Sequence, residues 1–303
     1  MKFAAIDIGS NAARMQISSV LQHKDSISFK KVEYVRFPLR LGLEVFNEEK
    51  ISKEKEEQIL KLLHAYKLLM DLHEVDDYLM MATSAMREAK NGKQIAQKVK
   101  EELLMDLQII SGDEESDVVN KGLLRVLDDR NYLHIDVGGG STEVTLFSQK
   151  KALFSKSFEI GSVRLLERAV PDKTWKDMQN WVEKNIRDAV PKLTAVGIGG
   201  NINKILELSK RKSKSLTIKD IEEVLDTLGK YSLDELINEW ELNPDRADII
   251  TPASNVYLSV MKWAKIKEII VPGLGLKDGM MEILAEKHRL GNTTYHELEI
   301  GEW

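Results

Sequence analysis

Two stretches of the chain repeat one pattern, 129 residues apart. Residues 6–17 read IDIGSNAARMQI and residues 135–146 read IDVGGGSTEVTL, so Asp7 falls on Asp136. Each stretch passes from an apolar strand through an Asp-x-Gly turn into a second strand. A repeat on this scale predicts two duplicated domains, each offering one glycine-rich hairpin to a shared central cleft.

The segments around the hairpins alternate between patterns typical of strands and of helices. Residues 51–75 and 92–105 carry apolar side chains at helical spacing, and residues 77–91 read as a strand that ends in a polar loop. In the second half, residues 193–210 and 268–284 each read as strand, glycine turn and helix. This alternation favours the α/β class.

Length and composition limit the class of protein further. The 303 residues fit two domains, which we place at 1–124 and 125–303, with the tail 290–303 as a candidate to complete the first. The net charge of −5 argues against general nucleic-acid binding, and the absence of cysteine excludes disulfides and cysteine nucleophiles. Because no run approaches the roughly 20 apolar residues that span a bilayer, we expect no membrane association and a cytoplasmic location. The oligomeric state, a homodimer included, stays open.

The two hairpins carry the residue types of a phosphate site. Glycines let the backbone approach a ligand closely, and successive exposed N–H groups form a concave anion-binding surface. The acids Asp7, Asp136 and Glu143 repel phosphate. Beside such a loop they fit either Mg²⁺, which takes oxygen ligands and bridges to phosphate, or the positioning of water. For a single hairpin, a plain turn with a solvated Glu143 is the structural alternative.

Two further loops carry charged side chains with more than one interpretation. Arg87 follows a strand in TSAMREAKN and can bind two phosphate oxygens at once, although a surface arginine at a helix start has the same pattern. Glu114 and Glu115 follow the turn of SGDEES. Acids at a helix start commonly interact with the helix dipole. The alternative is that one of them is a general base, with a pKa raised by nearby phosphate.

Several motifs occur in an order that is typical of one family. They are DIGSN (7–11), RLG (40–42), TSAMREAKN (83–91), ISGDEES (110–116), DVGGGSTEV (136–144), GSVRL (161–165) and RADII (246–250). Together they resemble the exopolyphosphatase / guanosine pentaphosphate phosphohydrolase (Ppx/GppA) family over essentially the whole chain. The resemblance implies a duplicated actin-like, sugar-kinase-like fold of the ribonuclease H type in a short two-domain form, which agrees with the internal repeat.

The resemblance also implies an activity and a set of residues. It implies Mg²⁺-dependent hydrolysis of a terminal phosphoanhydride, with polyphosphate or guanosine penta- or tetraphosphate as the partner molecule and Glu114 as the base that activates water. Asp136 and Glu143, with Asp7, match metal-associated acids. The phosphate-binding positions matched by the motifs are Ser10, Asn11, Arg87, Gly138, Gly139, Gly140, Ser141, Lys204 and Arg246.

The loops depart from the family pattern at positions that affect substrate choice and rate more than fold. These positions are Ala12, Ala13, Asn201, Pro252 and Lys277. We therefore weigh three functions: an exopolyphosphatase, a guanosine pentaphosphate (pppGpp) phosphohydrolase, and a nucleotide- or alarmone-binding sensor with weak or lost catalysis. An ATP-dependent sugar or acetate kinase is the remaining enzyme alternative. The run SKRKSKS (209–215) is either a track for polyphosphate or a solvated loop.

Overall fold

The structure is a computed structural model that describes residues 1–24 and 26–291. It divides into two compact units. One contains Met1–Val126 together with residues 275–291, and the other contains Leu127–Leu274. The chain therefore passes from one unit to the other twice.

This division differs from the sequence-based one in a single helix. We assigned residues 125–303 to the second domain, whereas the helix that follows Gly275 packs in the first unit. Most of the tail that we considered as a completion of the first domain, residues 292–303, lies outside the described residues.

The first unit is built on a five-stranded sheet with the strand order β3-β2-β1-β4-β5. Its strands are β1 (Lys2–Ile8), β2 (Ala13–Gln22), β3 (Ile27–Phe37), β4 (Asp77–Ala82) and β5 (Gln108–Ile109). Its helices are α1 (Gly42–Glu48), α2 (Lys53–Leu72), α3 (Ser84–Glu88), α4 (Gly92–Leu103), α5 (Gly112–Leu123) and α13 (Leu276–Lys287). The first three strands form an antiparallel meander, and β4 and β5 extend the sheet in parallel on the other side of β1.

The second unit is built on a six-stranded sheet with the order β10-β11-β9-β6-β7-β8. Its strands are β6 (Tyr132–Val137), β7 (Thr142–Ser148), β8 (Lys151–Phe158), β9 (Thr194–Ile198), β10 (Ser215–Thr217) and β11 (Glu268–Ile270). Its helices are α6 (Ser162–Leu166), α7 (Asp172–Asn185), α8 (Gly200–Leu208), α9 (Ile218–Leu228), α10 (Leu233–Asn238), α11 (Pro244–Ala247) and α12 (Ile250–Trp263).

The two sheets share one topology, and this confirms the duplicated α/β fold predicted from the repeat. In each unit the hairpin strands with the Asp-x-Gly turn are followed by a third antiparallel strand and then by two parallel strands. Strand β1 corresponds to β6, β4 to β9 and β5 to β11, and β10 is an additional antiparallel edge strand of the second sheet.

Alternation along the strands sends apolar side chains to one face of each sheet. In β6, Leu133, Ile135 and Val137 belong to the hydrophobic core of the second unit. Because successive strand residues point to opposite faces, the intervening Asp136 points away from that core. The polar site residues are thus placed by the same period of two that builds the core.

The sequence missed three short elements. Helix α3 falls in the polar loop that we predicted after the strand of residues 77–91, and α1 and β10 fall where we predicted neither a short helix nor a strand. Each has seven residues or fewer, too few for an amphipathic period to be visible. Among the described residues, no helix combines the length and the apolar composition needed to cross a bilayer.

Candidate active site

Two acids of the second unit face each other across the hairpin of β6 and β7. Asp136 and Glu143 form a directly opposed cross-strand pair, which places their Cβ atoms about 5 Å apart on one face of the sheet. The side chain of Ser157, on the neighbouring strand β8, donates its hydroxyl to Oε1 of Glu143 at 2.9 Å. Glu143 is 3% exposed, so this bond fixes the orientation of an otherwise buried carboxylate.

The Asp136 carboxylate lies against a turn that only glycine accommodates. Gly199 precedes α8 with φ +92°, a left-handed conformation that glycine adopts readily. A Cβ atom added at this position would lie 2.6 Å from Oδ1 of Asp136. The backbone at the start of α8 therefore closely approaches the carboxylate.

The glycine loop between β6 and β7 is held by its carbonyl groups. The N–H of Ser162 donates to the carbonyl of Gly138 at 2.9 Å. The N–H groups of Val163 and Arg164 both donate to the carbonyl of Gly139. These donors belong to the first turn of α6, so the GSVRL motif serves to clamp the loop.

Arg164 completes the clamp with its side chain. Its Nε donates to the carbonyl of Gly140 at 2.8 Å, and the residue is 6% exposed. By contrast, no acceptor within residues 26–291 takes the N–H of Gly139 or Gly140. A loop whose carbonyls are bonded from behind and whose amides remain available is suited to binding an anion.

The other second-unit residues that we predicted surround α8. The Asn201 side chain donates to the carbonyl of Val137 at 2.7 Å, and Arg246 donates to the carbonyl of Gly200 at 2.7 Å. Lys204 forms an ion pair with Glu207 at 2.7 Å on the same helix. Arg246 thus supports the start of α8, and the charge of Lys204 is locally balanced.

The first unit has the corresponding hairpin with a different charge pattern. Asp7 lies opposite Arg14 in the register of β1 and β2, and Arg14 Nη1 lies 2.8 Å from the Asp7 carboxylate. In the repeat, Arg14 stands where the second unit has Glu143. The first hairpin therefore holds a salt bridge where the second holds two acids.

Ser10 and Asn11 are joined to neighbouring loops of the first unit. The hydroxyls of Ser10 and Ser84 lie 2.7 Å apart in a buried hydrogen bond. The carbonyl of Asn11 accepts the N–H of Arg40, and the carbonyl of Ser10 accepts the N–H of Gly42. The DIGSN, RLG and TSAMR motifs, far apart in sequence, therefore meet at one end of the first sheet.

The two glutamates that start α5 have different environments. Glu114 and Ser111 form a capping box, in which the carboxylate accepts the N–H of Ser111 at 2.7 Å and the Ser111 hydroxyl accepts the N–H of Glu114. These bonds lower the pKa of Glu114. The raised pKa that we predicted for a base beside phosphate stays a prediction.

Glu115 lies beside the predicted phosphate-binding arginine. Its Oε2 is 3.7 Å from Nη1 of Arg87, and its side chain is 17% exposed. Arg87 also donates to the carbonyl of Ile110 at 2.7 Å, which fixes the guanidinium at the end of β5. The motif resemblance implied Glu114, and spacing alone did not separate it from Glu115.

The donor set suits a magnesium ion that keeps most of its water. Within residues 1–24 and 26–291, no cluster of three or more acidic, histidine or cysteine side chains forms a metal cage. Mg²⁺ is commonly bound by one or two carboxylates together with water and substrate phosphates. The pair Asp136 and Glu143 meets that requirement, whereas the Asp7 carboxylate is already balanced by Arg14.

Sequence reasoning missed three supporting residues of this site. Ser157 contacts Glu143 from a strand with no motif, and Tyr257 reaches the end of β6 from α12, 120 residues away in sequence. Arg164 lies within the GSVRL motif, and that motif could have identified it from the sequence. The prediction that the hairpins of both units serve one cleft stays a prediction.

Comparison with protein families gives a match over most of the chain. The model of the Ppx/GppA phosphatase family covers residues 19–288. A bifunctional 3-dehydroquinate synthase/phosphatase of Fusobacterium nucleatum is 28% identical, over 88% of this chain and 44% of its own length. A guanosine-5'-triphosphate,3'-diphosphate pyrophosphatase of Aeromonas hydrophila is 23% identical, over 92% of this chain and 58% of its own length. The chain thus spans about half the length of these curated relatives.

Solved structures of similar proteins match the fold. An Aquifex aeolicus member of the Ppx/GppA family superposes with a TM-score of 0.74 and 25% identity, over 95% of this chain and 99% of that one. An exopolyphosphatase from Cytophaga hutchinsonii superposes with a TM-score of 0.82 and 22% identity, over 96% of this chain and all of that one.

Proposed function

The chain belongs to the Ppx/GppA phosphatase family, and from that premise we propose that it hydrolyses the terminal phosphoanhydride of inorganic polyphosphate. The observation that carries this proposal is the clamped glycine loop beside Asp136 and Glu143. The N–H groups of Gly139 and Gly140 suit the oxygens of a terminal phosphate. The adjacent acids Asp136 and Glu143 suit the Mg²⁺ that accompanies a polyphosphate. A Cytophaga hutchinsonii protein with the same fold carries the name exopolyphosphatase, and this name supports polyphosphate as the substrate class.

In the proposed reaction, water attacks the terminal phosphorus, a new P–O bond forms and the bond to the bridging oxygen breaks. The proton of the water passes to a glutamate, the shortened chain leaves with the bridging oxygen as its new terminal oxygen, and the attacked phosphorus is released as orthophosphate. The amides of Gly139 and Gly140 would bind the non-bridging oxygens and stabilise charge in the transition state. Mg²⁺, held by Asp136 and Glu143, would supply further charge neutralisation at the phosphate.

The motif resemblance and the contacts in the structure favour different glutamates as the general base. The carboxylate of Glu114 is held in the capping box by the N–H of Ser111. Glu115 has its carboxylate beside Arg87, a side chain suited to phosphate. These contacts favour Glu115 as the base and give Glu114 the role of capping α5, one of the two alternatives that the sequence left open.

The metal assignment is tested with a matched pair of variants. Asp136→Asn and Asp7→Asn change equivalent positions of the repeat. We expect Asp136→Asn to weaken Mn²⁺ binding strongly and Asp7→Asn to leave it nearly unchanged, because Asp7 is paired with Arg14. Electron paramagnetic resonance of free Mn²⁺ measures both affinities. Equal losses in the two variants would restore Asp7 as a metal-associated acid.

A second candidate function is hydrolysis of pppGpp, because curated relatives carry the name guanosine-5'-triphosphate,3'-diphosphate pyrophosphatase. The test is phosphate release with Mg²⁺ from long-chain polyphosphate and from pppGpp in parallel, without a phosphate acceptor. We expect faster release from polyphosphate. Faster release from pppGpp would favour the second function, and binding without release would favour a sensor.

A further inference from the structure

The parallel ladder between β6 and β9 ends beside the candidate metal-binding acid. The last paired residues are Asp136 and Ile198. Since the N–H of Thr194 donates to the carbonyl of Asn131, the alternation of a parallel ladder assigns the bond at this last pair to the N–H of Val137 and the carbonyl of Ile198. This bond joins the start of the glycine loop to the turn before α8.

The hydroxyl of Tyr257 contacts the same two backbone groups. It accepts the N–H of Val137 at 3.2 Å and donates to the carbonyl of Ile198 at 3.0 Å. Tyr257 lies on α12 and is fully buried in the core of the second unit. The phenol therefore ties the ends of both strands to α12.

Both strand ends lead directly into the candidate site. Val137 is followed by the clamped loop at Gly138, and Ile198 is followed by Gly199, which touches the carboxylate of Asp136. Burial, with the negative charges of Asp136 and Glu143, raises the pKa of Tyr257. The hydroxyl thus keeps its proton and remains a donor to Ile198.

We propose that Tyr257 is a positioning residue, whose hydroxyl ties the glycine loop and the Gly199 turn to α12 and so holds Asp136 in its metal-binding orientation. This role rests on the proposed function of the site. Without the hydroxyl, both strand ends lose their attachment to α12. The Gly199 backbone and the Asp136 carboxylate beside it would then be held less firmly.

The test compares Tyr257→Phe with Tyr132→Phe. Tyr132 lies at the opposite end of β6, is buried, and donates its hydroxyl to Asp128 at 3.0 Å. Both variants therefore remove one tyrosine hydroxyl beside β6, and circular dichroism compares their folding. Loss of a group that orients a metal ligand commonly weakens metal binding about 10- to 100-fold. We expect about tenfold weaker Mn²⁺ binding in Tyr257→Phe and an unchanged affinity in Tyr132→Phe; equal affinities in the two variants would overturn the role.

Amide hydrogen exchange gives a second readout that needs no variant. In the wild-type protein, Mn²⁺ should slow exchange in the peptides that span residues 135–141 and 196–201 together, because one hydroxyl joins both. Protection of one peptide without the other would overturn the proposal. Phosphate release by the wild type is measured separately. Its absence, with the Mn²⁺ effects intact, would refute the hydrolase function and leave the positioning role standing.

Discussion

A buried histidine in the strand that carries Asp136 should make the second unit sensitive to acid. His134 is fully buried, and neither ring nitrogen has a hydrogen-bond partner among the described residues. Burial disfavours the charged imidazolium and lowers the pKa of His134 from 6.5 to about 3. The native protein therefore keeps this side chain neutral at pH values where the unfolded chain protonates it.

The sign and the size of the effect follow from this difference in pKa. Stability is full above the unfolded pKa of 6.5 and falls as the pH drops from 6.5 toward 3, because only the unfolded state binds the proton in that window. Each pH unit below the unfolded pKa lowers the free energy of unfolding by about 1.4 kcal/mol. At pH 5, roughly 1.5 units below that pKa, the free energy of unfolding is therefore lower by about 2 kcal/mol. His134→Leu removes the titrating group and should remove this loss.

Tryptophan fluorescence during guanidinium unfolding measures the loss of stability of the second structural unit, which contains His134. Four of the five tryptophans lie in the second unit and pack against its core, namely Trp175, Trp181, Trp240 and Trp263. Between pH 7 and pH 5, the wild type should lose about 2 kcal/mol more unfolding free energy than His134→Leu. Equal losses in both proteins would refute the assignment of a neutral, desolvated histidine at this position.

Two glycine substitutions test the backbone of the site. Gly199→Ala should reduce Mn²⁺ affinity and phosphate release at least tenfold, because the new Cβ would displace the Asp136 carboxylate. Gly273→Ala is its control, since that residue also has a positive φ but open space around it, so it should lose stability without a comparable loss of metal affinity. Gly161→Ala should weaken competition by inorganic pyrophosphate, because its Cβ would lie 2.4 Å from the backbone of Gly139. An unchanged inhibition constant would show that the clamp does not shape the loop.

The sequence predicted the fold well because its strongest signals are local. The repeated Asp-x-Gly hairpin and the alternating strands and helices each lie within short stretches of sequence, and they indicate the α/β class and the duplication. The placement of the helix after Gly275 in the first unit depends on packing between α5 and α13. Gly122 and Gly279 come close there, a contact between residues more than 150 positions apart that no periodicity reveals.

The site was predictable in its loops and less so in its side-chain partners. Glu114 and Glu115 are adjacent and equally acidic, and only the capping geometry shows which one is bonded to Ser111. We did not predict the pairing of Asp7 with Arg14. An alignment of the two repeats does indicate it, since Arg14 aligns with Glu143. Equivalent positions in a repeat thus indicate where the two halves have diverged in charge.

The most direct test of the proposed hydrolysis compares Glu115→Gln with Glu114→Gln for phosphate release from polyphosphate with Mg²⁺. Loss of a general base commonly lowers the rate about 10²- to 10⁴-fold. We predict a loss of this size for Glu115→Gln with polyphosphate binding retained, and a much smaller loss for Glu114→Gln, with a lower melting temperature from the weakened cap. Full activity in Glu115→Gln, with activity abolished in Glu114→Gln, would contradict the assignment of the base. No phosphate release by the wild type would contradict the hydrolase itself.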